Sequence, residues 1–155
     1  MKQTYRKVKI LKKVGVIPYQ IIDGEISILM VTSMGTGRWI LPKGNLKTKE
    51  SHKKGCLREA FEEAGVEGKI LKNFPMTMVM AANERNKTGQ IILKTPVVFY
   101  PMRVKNEAKT WPEKKQRQRK WITLDKALDK IKSKDISSVL KHFKTLTPWL
   151  IDAKQ

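Results

Sequence analysis

The feature that most constrains this chain is an acidic helix set inside a basic sequence. Residues Lys49 to Ala64 carry helical periodicity, Thr48 or Ser51 stands where an N-cap belongs, and Gly65 follows where a left-handed residue closes a helix. At about 100° per residue, Leu57, Ala60, Phe61 and Ala64 group on one side. Glu59, Glu62 and Glu63 group on the opposite side, with Arg58 at its margin. The apolar side is expected to face a core, which leaves three carboxylates at i, i+3 and i+4 to repel one another.

Such a helix needs another layer to cover it, and its flanks read as strands. Val8 to Pro18 is β-branched, Ile22 to Glu25 holds the Asp23–Gly24 turn of a hairpin, and Ile26 to Thr32 reads as a buried strand. Met34 to Lys43 is mostly loop, with a short strand at Trp39 to Leu41. Beyond the helix, Val66 to Lys72 and Met76 to Ala82 read as strands, the latter with Met76, Met78 and Met80 on one packed face. Asn83 to Gln90 is a polar hairpin loop. Ile91 to Val104 is β-rich, and its Pro96 and Pro101 predict an edge or a bulge. Asn106 to Lys120 is a basic loop and Trp121 to Thr123 a short strand. Thr123 then caps a helix to about Lys132, and Asp135 a last helix through Leu146. The order predicts an α+β fold, a mixed β-sheet covered by helices on both faces. At 155 residues, a single domain over 1–155 is expected.

Charge narrows the partners. Thirty-three Lys and Arg face 14 Asp and Glu, a net charge of +19, which favours a polyanion: nucleic acid, an anionic surface or a small polyphosphate. No apolar stretch approaches the roughly 18 residues of a membrane span, so no membrane partner is expected. The first residues lack the apolar run of a signal peptide, and the single cysteine, Cys56, excludes an internal disulfide or a multi-cysteine zinc site. A cytoplasmic location is the expectation.

Within this basic chain, Glu50, Glu59, Glu62, Glu63 and Glu67 crowd into 18 positions. Grouped carboxylates are the hard oxygen ligands that Mg²⁺ prefers, and magnesium so held completes its shell with water and phosphates. Carboxylates among cations are what phosphoryl chemistry needs.

From Gly44 to Val66 the chain reads GNLKTKESHKKGCLREAFEEAGV. This resembles the signature of the Nudix hydrolases, with Gly44, Glu50, Arg58, Glu59, Ala60, Glu62, Glu63, Gly65 and Val66 at its fixed positions. The resemblance implies an α/β/α sandwich and metal-dependent hydrolysis of a pyrophosphate linkage by water. It implies Mg²⁺, or Mn²⁺, held by Glu59, Glu62 and Glu63 and by the main-chain carbonyl of Gly44. In some members the residue matching Glu59 is the general base instead. Arg58 would orient the glutamates, and Glu50 would form a structural salt bridge with it. Family members often recruit a further acid from a later loop. Glu84, Glu107 and Glu113 are the candidates, and Glu113 is preferred because it precedes a basic cluster and a strand.

The segments Arg38 to Gly44 and Trp111 to Trp121 resemble the branch that includes diphosphoinositol polyphosphate and diadenosine polyphosphate hydrolases. The entry Pro42-Lys43-Gly44-Asn45 replaces the glycine triplet of the animal diphosphoinositol enzymes. Lys12, Lys13, Arg38, Lys43, Arg85, Lys87, Arg117 and Arg119 are the candidate substrate-binding cations, and Tyr5, Trp39, Phe74, Trp111 and Trp121 the candidate base platforms. The expected function is cleavage of a dinucleoside polyphosphate or a diphosphoinositol polyphosphate. The alternatives are a nucleoside triphosphate or RNA 5′-end pyrophosphohydrolase, and a basic nucleic-acid-binding protein on the same scaffold.

Overall fold

The computed structural model describes residues 12–78, 84–85, 88–89, 91–92 and 96–152. The described residues open with the hairpin β1 (Lys13–Ile22) and β2 (Glu25–Thr32), turned through Asp23 and Gly24, both at positive φ. The expected start of the first strand at Val8 lies outside the described residues. Short strands β3 (Trp39–Ile40) and β4 (Lys43–Asn45) follow, then helix α1 (His52–Ala64). Next come β5 (Val66–Ile70), β6 (Met76–Met78) and a two-stranded ribbon of β7 (Glu84–Arg85) and β8 (Ile91–Ile92). The continuation of β6 to Ala82, with Met80, lies outside the described residues. β7 lies within the stretch read as a hairpin loop, and β8 within the stretch read as β-rich. The long strand β9 (Val97–Glu107), then β10 (Arg119–Thr123), α2 (Leu124–Lys130) and α3 (Lys134–Asp152) complete the fold.

The main sheet runs β10-β2-β1-β9-β5, with β3 on β2, β4 on β1 and β6 on β9. It is mixed, since β1 and β9 are parallel while the other pairs are antiparallel. Alternate residues of the central strands face opposite layers. Val14, Val16, Leu29, Val31, Tyr100 and Met102 pack with Cys56, Ala60 and Ala64 of α1. Ile17, Tyr19, Ile28, Met30 and Phe99 pack with Leu140 and Phe143 of α3. This is the α+β sandwich expected from the sequence, with helices on both faces.

Two expectations are corrected. Pro96 and Pro101 were expected to mark an edge or a bulge; β9 is interior, between β1 and the pair β5 and β6, and its pairing with β5 shifts register at Glu67 and Gly68. β6 pairs with Val97 to Phe99 and β5 with Met102 onward, so Pro101 falls between the two partners. Its carbonyl accepts from Leu71 N, so the missing N–H points at that same junction, where no ladder bond is forfeited. Helix α3 was expected to stop at Leu146 but runs through Pro148 to Asp152. Pro148 cannot donate to the Lys144 carbonyl, and Thr147 Oγ1 donates to that carbonyl instead, at 2.8 Å. Ser133, rather than Asp135, caps α3, accepting from Ile136 N at 3.3 Å.

Candidate active site

Helix α1 carries the site. Ser51 caps it, accepting from Lys54 N, and Gly65 closes it at φ 66°, with its N–H on the Ala60 and Phe61 carbonyls. Its orientation corrects the helical-wheel expectation. The buried stripe is Gly55, Cys56, Glu59, Ala60, Glu63 and Ala64, while Leu57 and Phe61 lie half-buried at its margin. Glu59 and Glu63 therefore face inward, 8% and 5% exposed. Cys56 is wholly buried, and burial pushes its thiol up to about 12, which makes it inert packing.

Burial of a carboxylate has a price unless partners are supplied, and two arginines supply them. Arg58 makes a two-pronged contact with Glu50, Nε to Oε2 and Nη2 to Oε1, both at 2.8 Å. Its Nη1 reaches Glu59 Oε1 at 2.6 Å and Glu62 Oε2 at 3.4 Å, and its Nη2 donates to the Asn45 carbonyl at 2.9 Å. These bonds hold the Glu50 carboxyl down at about 2. Arg117 holds the second group. Its Nη2 lies 3.1 Å from Glu63 Oε1 and 3.2 Å from Glu113 Oε1, and its Nη1 donates to the Thr32 carbonyl at 2.9 Å. Lys43 N donates to Glu63 Oε2 at 3.0 Å. Even so, desolvation raises Glu63 to about 7, against the opposing pull of Arg117 and Lys43 N. Desolvation raises Glu59 too, against Arg58.

Gly44 stands against this cluster. A Cβ there would lie 2.3 Å from the Glu59 carboxylate, so the strand approaches α1 only because the position has no side chain. Glu113 is brought to the cluster by its loop. Glu113 N donates to the Glu62 carbonyl at 3.0 Å, and Trp111 Nε1 to the Glu63 carbonyl at 3.1 Å. Among the described residues, no group of three acidic side chains already converges as a metal cage, because the two arginines divide the carboxylates between them. The donors nevertheless suit a hard divalent cation: oxygen ligands on adjacent turns, two of them buried with their charge only partly offset.

The candidate substrate cations separate into three groups. Arg38 and Lys43 line a cavity of about 700 Å³, as does Trp39, 38% exposed. Its walls are Met30, Ile40, Met78, Ile122 and Ile136. Lys120, Lys130 and Lys132 also border it. These three lysines were missed: the two lysines of α2, LDKALDK, are balanced by two aspartates, so its composition gave no signal. Arg117 and Arg119 are placed differently from the expectation, in structural bonds. Arg119 stacks on Trp111, 3.9 Å from ring centroid to guanidinium, and donates to the Ala64 carbonyl at 2.9 Å and the Ala108 carbonyl at 2.7 Å. It closes the C-terminus of α1. Lys12 and Lys13 stand at the start of β1 beside Asn45, and Arg85 lies on β7. Lys87 lies outside the described residues, as does Tyr5. Trp121 donates to Glu107 at 3.2 Å, and Phe74 is exposed outside the cavity lining.

Comparison with known proteins agrees with this geometry. The model of the NUDIX domain matches residues 11–143. Nudix hydrolase 21, chloroplastic, of Arabidopsis thaliana is 28% identical over 91% of this chain and 70% of its own length. The asymmetrical bis(5′-nucleosyl)-tetraphosphatase of Sus scrofa is 28% identical over 74% of this chain and 76% of its own. Among solved structures, a C. elegans Ap4A hydrolase in a binary complex shares the fold at TM-score 0.70 and 21% identity, covering 90% of this chain and 99% of that one.

Proposed function

The chain belongs to the NUDIX family and is a Nudix pyrophosphohydrolase, and on that premise we propose that its substrate is a dinucleoside polyphosphate and its metal Mg²⁺. One observation carries the proposal: the carboxylate cluster of α1 adjoins, through Lys43, a cavity that is apolar inside and cationic at its rim. A nucleobase is planar and largely apolar, so it suits the Met30, Ile40 and Ile122 walls with Trp39 as a stacking surface. A linked phosphate chain suits Arg38, Lys43, Lys120, Lys130 and Lys132. An inositol ring bearing phosphates on most carbons has no use for apolar walls, so the cavity favours the nucleotide.

Nudix hydrolases generally use divalent metals. Here Glu59, Glu62 and Glu63, with the Gly44 carbonyl, would hold the cation, which supplies charge neutralisation and an activated water. The chain's own groups do the rest. Arg58 keeps Glu59 and Glu62 oriented, and Arg117 keeps Glu63 and Glu113 oriented. Water oxygen bonds to one phosphorus of the anhydride, its proton passes to a carboxylate of the cluster, and the phosphate leaving group departs with the bridging oxygen. The rim cations stabilise the charge that develops.

The deciding measurement is product analysis with diadenosine tetraphosphate, an inositol pyrophosphate and nucleoside triphosphates, with and without Mg²⁺. Mg²⁺-dependent cleavage of the dinucleotide, fastest of the three and absent in Glu62→Gln, supports the proposal. Preference for the inositol compound sinks the substrate assignment.

A further inference from the structure

We propose that a lysine cluster beside the first turn of α1 binds the phosphodiester backbone of nucleic acid, separately from hydrolysis. Three segments build it. Lys12 precedes β1 and Lys13 begins it, Lys47 and Lys49 lie in the turn before α1, and Lys53 and Lys54 lie in its first turn. The segments are tied together by the bond from Leu46 N to the Lys12 carbonyl and by the pairing of Lys13 with Asn45. Five of the six lysines are exposed and Lys13 is half-buried.

The charge is unbalanced by construction. The one acid in the stretch, Glu50, has its carboxylate engaged by Arg58 and by Lys47 N, with only 12% of its side chain exposed. No salt bridge joins any of the six lysines to a described carboxylate. The placement also opposes local stability. The first turn of a helix favours acids, because its free N–H groups carry partial positive charge, yet α1 has no acid there and carries Lys53 and Lys54 instead. Functional surfaces are where such local preferences are given up.

The cluster is distinct from the reacting groups. Lys53 and Glu63 are ten residues apart on α1, about 15 Å along its axis. An extended polyanion matches lysines spread over three exposed segments better than a compact phosphate does. Among the described residues nothing apolar accompanies them that would seat in a bilayer: Leu46 is half-buried, and the exposed neighbours are Asn45, Thr48, Ser51 and His52.

The test is fluorescence anisotropy with single-stranded RNA and single-stranded DNA of about 20 nucleotides, from about 50 to 200 mM salt. The wild-type chain and Lys49→Glu/Lys53→Glu/Lys54→Glu are compared, and the same preparations are assayed for turnover and thermal melting. The variant should bind at least tenfold more weakly at low salt, with a salt slope shallower by about 2, at about 0.7 per lost phosphate contact on a single strand. Its turnover should be unchanged and its melting temperature equal or higher, because acids now occupy the first turn. Unchanged affinity, failure of the wild type to bind either strand, binding confined to anionic vesicles, or loss of turnover in the variant would each overturn the proposal. Because binding is read without substrate, an error in the substrate assignment leaves this test standing.

Discussion

Glu63 is the residue on which the site turns, and its burial has a consequence for stability. Its carboxyl lies at about 7 in the folded chain, above the ordinary 4.5. A raised group favours folding below the unfolded value and loses that contribution as pH rises through the folded one. The metal-free protein should therefore lose up to about 3 kcal/mol from this group between pH 4.5 and 8. Denaturant melts of wild type and Glu63→Gln across that range read it: the difference should move in favour of the variant as pH rises, while turnover falls at least a thousandfold. Glu50 behaves oppositely. Held at about 2 by Arg58, it stabilises above 4.5 and loses that contribution as pH falls toward 2. Glu50→Gln should cost about 1–3 kcal/mol at neutral pH and slow turnover by freeing Arg58, with the stability difference vanishing in acid. The grouping of Glu59, Glu62 and Glu63 was legible from helical spacing, and Gly44, Glu50 and Arg58 through the resemblance to the Nudix signature. The inward direction of Glu59 and Glu63 was not. A wheel sorts by apolarity, and here two glutamates share the buried stripe with Cys56 and Ala60 because arginines from other segments meet them.

At the scale of elements, the exit of α1 is tightly constrained. Gly65 sits at φ 66°, and a Cβ on it would come within 2.7 Å of the Trp111 ring and 2.8 Å of Arg119 Nη1. Gly65→Ala should cost about 2–3 kcal/mol, above the usual left-handed penalty alone, and calorimetric unfolding checks this. Trp111 emission should shift in the folded variant as the ring is displaced. Helix α1 and the strands before it were readable because period and caps coincide there. The prolines were not, because whether Pro101 disrupts a ladder depends on which strands flank it, and β5 and β6 divide that edge between them. The strand β4 was hidden for the same reason: Lys43 to Asn45 has no β character and extends only because β1 pairs with it.

At the scale of the molecule, the cationic rim and Trp39 set how a charged substrate is gathered. Trp39→Ala should raise KM for a dinucleoside polyphosphate about tenfold with kcat changed less than threefold, since base stacking is worth about 1–3 kcal/mol and lies away from the reacting phosphorus. Steady-state kinetics with the wild type should also show KM rising with salt, as screening weakens the rim. The mixed sheet and its two helical layers followed from the order of strands and helices in the sequence. The cavity did not, because Arg38, Lys120 and Lys132 meet only after β2, β3, β10 and the α2–α3 connection have packed.

The arginine clamp at Arg117 has a bearing on how the chain folds in time. It joins Thr32, 85 positions earlier, and Glu63, 54 positions earlier, while Trp111 reaches back 48 positions to the Glu63 carbonyl. Contacts so distant in sequence form slowly, because the intervening loops must close first. The β1–β2 hairpin and helix α1 can form locally as the chain emerges from the ribosome, but Glu63 acquires its charged partner only when residues beyond 117 have been synthesised. Until then a carboxylate destined for the interior remains in water, and the α1 layer stays loosely seated. Assembly of the catalytic cluster thus depends on the same long-range closure that pairs β10 with β2, where Arg119 meets Val31.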